Sequence, residues 1–255
     1  MVQTNEKTIL TSGLRPEVRQ PIEFLAQRLI NDLGENLLSL CVVGSAITED
    51  FHPQRSDINT VVVVGQRSHQ LLQLLASYGG KMGKMKLRAP LLMTREYIER
   101  SRDVFAVEFL DFQLNHAVVF GMDPFADLKF AKEDVRLQCE RQLKAALIKL
   151  RQGYIRSLGK AKLVGGLLLE CAAELVVLLR AMLWLKDIDR PHTATATIEK
   201  AARQLEFDQE KISLLVSLKQ QHRLVPPEQV EQLFQGVYQV IDYLARVVDR
   251  MIEKS

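Results

Sequence analysis

Two short stretches carry residue types suited to phosphate and metal chemistry: Val43-Gly44-Ser45-Ala46 and, ten residues further on, Asp57-Ile58-Asn59. Glycine lets a backbone come close to a ligand. Amide groups at a strand-to-helix turn receive phosphate oxygens, and Ser45 adds a hydroxyl donor. Asp57 and Asn59 are separated by one residue, so in a strand both point to the same side. Two carboxylates at that spacing would hold a divalent cation against a nucleoside triphosphate. Here the second position is an amide, whose neutral oxygen is a weaker partner for a hard cation. Arg55, two residues before Asp57, is placed either to contact phosphate or to be solvated. The basic run Lys81, Lys84, Lys86 and Arg88 reads as a solvated loop or as a phosphate-facing patch.

The elements that must position these residues follow from periodicity. Pro16–Leu33 is predicted as an amphipathic helix, with Ile22, Leu25, Leu29, Ile30 and Leu33 at helical spacing and Gly34 as its stop. Leu37–Val43 reads as a buried strand ending at Gly44-Ser45, and the β-branched run Asn59–Val64 as a second. A short helix is expected over 68–76 and a third strand over 89–94. Two more strands are expected over 106–112 and 117–120. Gly121-Met122-Asp123-Pro124 is turn chemistry, which suggests one domain over residues 1–125 and another over 126–255. The second half shows helical periodicity only, with helices expected over 133–158, 163–185, 193–205 and 208–218. A last one follows Pro226-Pro227 and carries a wide apolar stripe from Val230 to Met251. A helical bundle follows.

Composition narrows the function classes. A chain of 255 residues, 47% hydrophobic, has apolar material for one large or two modest domains. A net charge of only +3 argues against a general nucleic-acid binder. Cys41, Cys139 and Cys171 lie far apart in apolar segments, as buried thiols of a reducing cytosol would. Residues 1–12 are polar and lack the basic-then-apolar pattern of a signal peptide. The apolar stretch 163–185 is interrupted by Glu170, Glu174 and Arg180, which would be costly in a bilayer. The expectation is a buried helix in a cytoplasmic protein with no membrane partner. Glu170 and Glu174 share one helix face; on their own they read as a wet face, or as partners of Arg180 or Lys162. Asp187, Asp189 and Arg190 form a polar corner before Pro191, and Trp184 is expected in the core. The five histidines have no metal-ligand spacing, and His116 is expected to be exposed. No P-loop, dinucleotide fingerprint or Ser–His–Asp signature occurs.

A Gly-Ser turn, a loop, and then Ser56-Asp57 with a second acid two residues on, at the mouth of a β-rich strand, resembles the signature of the DNA polymerase β-like nucleotidyltransferase superfamily. The motif occupies residues 43–64, and the two-part layout extends the likeness over most of the chain. It is similar to bacterial minimal nucleotidyltransferases and to kanamycin-type aminoglycoside nucleotidyltransferases, which also carry an all-helical C-terminal domain. The resemblance implies an α+β fold: a mixed β-sheet with flanking helices, followed by a helical bundle domain. It implies that Gly44 and Ser45 bind nucleotide phosphates and that Asp57 is the first metal ligand, preceded by Ser56 as is common in the family; Arg55, by its place in the loop, and Ser56 are counted with the nucleotide-binding residues. Position 59 is the second ligand in the family, and Asn59 departs from it. A third acid on a later strand is implied, with Glu108 chosen and Asp111 the alternative. In the aminoglycoside-modifying relatives, acids of the helical domain hold a cationic acceptor or act as base, which points to Glu170 and its neighbour Glu174. The implied activity is Mg2+-dependent transfer of a nucleoside monophosphate from an NTP, ATP being expected, to a hydroxyl of an acceptor. Asn59 supports an alternative, a catalytically inactive nucleotide-binding or protein-interaction module on the same fold. The long apolar helices would suit a homodimer.

Overall fold

The computed structural model describes residues 8–251; the signal-peptide expectation therefore lies partly outside the described residues. The chain forms two compact units, and neither is continuous in sequence. One comprises Met1–Arg102 and Phe112–Lys129, the other Asp103–Asp111 and Phe130–Ser255.

The first unit is built on a four-stranded sheet. Helix α1 (Pro16–Leu33) opens with proline in its first turn, where a missing N–H is harmless. It presents Val18, Ile22, Leu25 and Leu29 as a fully buried stripe. Strands β1 (Leu37–Val43) and β2 (Asn59–Val64) pair antiparallel, from Leu37 opposite Val64 to Val43 opposite Asn59. Helix α2 (His69–Lys84) is capped by Ser68, whose hydroxyl accepts from the Leu71 amide at 3.2 Å. It runs well beyond the expected 68–76, because Leu75, Tyr78 and Met82 continue the buried stripe. Lys81 and Lys84 therefore belong to its last turn, where the helix dipole favours cations, and not to a loop. Strand β3 (Leu91–Thr94) pairs parallel with β2 and leads into the short α3 (Arg95–Arg100). Strand β4 (His116–Gly121) pairs antiparallel with the other edge of β1, giving the order β3-β2-β1-β4. One face of this sheet, with Leu40, Val42, Val62, Val64 and Val119, shares a core with α1 and α2. Gly121 ends β4 at φ +76°, and a Cβ there would lie 1.9 Å from the Leu38 carbonyl oxygen, so only glycine fits.

The segment expected as a strand over 106–112 is a helix, α4 (Ala106–Leu114). A short apolar run fits either period, and packing decides between them. Ala106, Val107 and Leu110 fall on one helical face and join the core of the second unit. That core is completed by α5 (Lys132–Arg156), α6 (Ala161–Leu185), α7 (Ala194–Leu205), α8 (Glu210–Gln220) and α9 (Val230–Asp249). Each lies close to the span that periodicity predicts. One turn of 3-10 helix, Pro227–Gln229, precedes α9. Among the described residues no helix is long and apolar enough to cross a membrane.

Candidate nucleotide site

Strand register brings the two motif stretches together. Val43 lies opposite Asn59 on one side and His116 on the other. The Gly44-Ser45 turn that leaves β1 and the Asp57-Ile58 segment that enters β2 therefore sit at one end of the sheet. Directly opposed residues share a face, so Asn59, Val43 and His116 point the same way. This is the face turned away from α1 and α2.

Gly44 adopts φ +75°, and its N–H donates to the Asn115 carbonyl at 2.9 Å. A Cβ would meet nothing within 4 Å, so the backbone angle, not crowding, calls for glycine. One turn of 3-10 helix, Gly44–Ile47, follows and is closed by the Thr48 amide donating to the Ser45 carbonyl at 3.0 Å. In the loop before β2, the Ser56 hydroxyl accepts from the His52 amide at 3.0 Å while the Ser56 amide donates to the His52 carbonyl at 2.8 Å. Ser56 thus clamps the loop. Arg55 is exposed beside it, its amide also bonded to the His52 carbonyl at 3.0 Å.

Asp57 is exposed and accepts a hydrogen bond from Arg88 Nε at 2.9 Å. The backbone makes this pairing. Ile58 N donates to the Lys86 carbonyl at 2.8 Å, and Arg88 N donates to the Ile58 carbonyl at 3.0 Å. Residues 86–88 run parallel to the mouth of β2, with Ile58 and Leu87 both buried. Lys86 Nζ donates to the Pro53 carbonyl at 3.2 Å. The end of the basic run therefore lies directly beside Asp57. The cluster of charges was visible in the sequence; its pairing with Asp57 depends on a register that periodicity does not reveal.

The residues fit a resident magnesium ion poorly. Magnesium favours carboxylate oxygens in a near-octahedral shell. None of the four strands contains an aspartate or glutamate. At this end of the sheet Asp57 is already paired to a guanidinium, and Asn59 is neutral. Among the described residues, no three His, Cys, Asp or Glu side chains gather as a metal site would require.

Glu108, expected on a strand as the third acid, lies instead on helix α4 within the second unit. Its carboxylate accepts from the side-chain amides of Gln138 and, at 2.9 Å, Gln142. Gln138 in turn accepts from the Val107 amide at 2.8 Å. Asp111, the alternative, is buried and ion-paired with Arg180 Nη1 at 2.8 Å. Glu170 is 63% exposed on α6 and pairs with Lys149 of α5 at 3.0 Å, not with Arg180 or Lys162. His116 is not exposed as expected: its side chain is 12% accessible, Nε2 lies 2.9 Å from Asp123 Oδ2, and Nδ1 is buried without a partner. Burial alone would raise the Asp123 carboxyl, but the Phe125 amide and the His116 ring together hold it below its ordinary range. A surface groove of about 440 Å³, lined by Glu199, Arg203, Phe207 and Asp208 among others, lies in the second unit and holds none of these residues.

A mixed sheet whose first strand ends in a Gly-Ser turn, with an aspartate at the mouth of its antiparallel neighbour and a run of helices after it, is a nucleotidyltransferase fold. Among solved structures the chain is similar to the spectinomycin adenyltransferase of Enterococcus faecialis, solved with ATP and spectinomycin. The TM-score is 0.55 at 13% sequence identity, over 91% of this chain and 99% of that one. At that identity the likeness shows the fold alone. No protein-family model matches the chain, and no curated protein matches it.

Proposed function

We propose that the chain binds a nucleoside triphosphate, with ATP the expected nucleotide, at the Gly44-Ser45 end of the sheet. Nucleotidyl transfer is reduced there to a residual level because the carboxylate set is incomplete. The observation that carries this reading is the register: Val43 opposite Asn59 sets the turn and Asp57 side by side. A similar structure solved with ATP supports the choice of nucleotide. Isothermal titration with ATP, with and without magnesium, tests it, together with pyrophosphate release. Binding with little turnover is expected, and Asn59→Asp should raise magnesium affinity by restoring the second carboxylate. Failure of both wild type and Asn59→Asp to bind ATP under either condition would sink the assignment.

A second reading is full transfer of a nucleoside monophosphate from Mg-NTP to a hydroxyl-bearing acceptor, with Asp57 as metal ligand. It is favoured by the similar structure being an adenyltransferase. Rapid pyrophosphate release that Asp57→Ala abolishes would select it. The partner expected on either reading is a small molecule, with a second copy of the chain as an additional partner that sedimentation would detect.

A further inference from the structure

The poor fit to magnesium and the position of Arg88 have one explanation. Resting on the proposed triphosphate site, we infer that Arg88 supplies the positive charge a divalent ion would otherwise bring, so that this site takes a polyphosphate anion without metal. One carboxylate, Asp57, stands beside three cations carried by the same pair of segments, Arg55, Lys86 and Arg88. A site with two or three clustered carboxylates repels triphosphate until metal neutralises it; this one does not. Arg88 is held from two directions, its amide by the Ile58 carbonyl and its Nε by Asp57. Its Nη1 and Nη2 groups form no hydrogen bond to any described residue, and its side chain is 68% exposed. The guanidinium thus presents the planar donor fork that matches phosphate oxygens. Asn59 fits the same change. A carboxylate there would repel phosphate, whereas an amide offers N–H donors to it.

The test is titration of ATP into the full chain in EDTA and, separately, in magnesium. Affinity in EDTA is expected to equal or exceed that in magnesium. Arg88→Ala should weaken binding in EDTA on the order of tenfold, as loss of a hydrogen bond to a charged group does. Arg88→Lys should recover part of it. Asp57→Asn should strengthen binding in EDTA, since it removes the one negative charge facing the phosphates. Thermal melting of each variant separates loss of binding from loss of fold. Binding only in magnesium, weakened by Asp57→Asn and indifferent to Arg88→Ala, overturns the role of Arg88 and leaves the nucleotide site standing. No binding in either buffer overturns both.

Discussion

Arg180 donates hydrogen bonds from all three guanidinium nitrogens inside the second unit. Nε bonds the Pro191 carbonyl at 3.1 Å and Thr197 Oγ1 at 3.3 Å, Nη1 bonds Asp111 at 2.8 Å, and Nη2 bonds the His192 carbonyl at 2.6 Å. Both members of the ion pair are buried. Removing one leaves the other charge desolvated and unmatched, so Arg180→Met should lower stability by about 3–5 kcal/mol. Urea unfolding measures it, and replacing Asp111 by Leu in the same chain should restore most of the loss. In the sequence Arg180 is only an interruption of an apolar run, and Glu170 looks like its partner. Its real partner lies 69 residues upstream on α4, and nothing local points there. The same limit hid the Asp57–Arg88 pair. The Gly44-Ser45 turn and Asp57 were legible because each is marked by its own residue type at a strand end.

At the scale of elements, strands and long helices were readable wherever one period ran far enough. Residues 106–112 were not: a short apolar run with charges at Glu108 and Asp111 admits either period, and the glutamines of α5 that hold Glu108 settle it as helix. The turn after β4 makes a testable point of its own. Asp123 Oδ1 accepts from the amides of Phe125 at 2.8 Å and Ala126 at 3.1 Å, while Oδ2 faces His116. The folded state therefore prefers the ionised carboxylate, and the carboxyl sits below its ordinary range. The stabilisation is complete above the unfolded carboxylate range and is lost as pH falls through the lowered folded value. Asp123→Asn should accordingly be less stable than wild type at about pH 7, with the gap narrowing toward about pH 3, as urea midpoints at the two pH values would show.

At the scale of the whole molecule, the three thiols are buried, as their apolar settings foretold. Burial pushes the Cys41 thiol up to about 12 and raises Cys139 and Cys171 as well. Because the thiolate is the reactive form, a thiol reagent near neutral pH should label none of the three quickly in the native protein and all three in urea. The two halves were legible as textures, but the interleaving of their segments was not. A cut at residue 125 would leave Leu128, whose carbonyl accepts from Gln113 at 3.1 Å, outside the first unit.

That interleaving has a consequence for biosynthesis. A ribosome releases residues 103–111 before β4, so Ala106, Val107 and Leu110 emerge long before α5 to α9 exist to cover them. A nascent chain halted after Lys129 would expose a greasy segment with nowhere to go, and the isolated fragment 1–129 should clump in a light-scattering assay unless a chaperone holds it. Synthesis must pass the helices that carry Gln138 and Arg180 before this early apolar segment meets the partners that hold it in the folded unit.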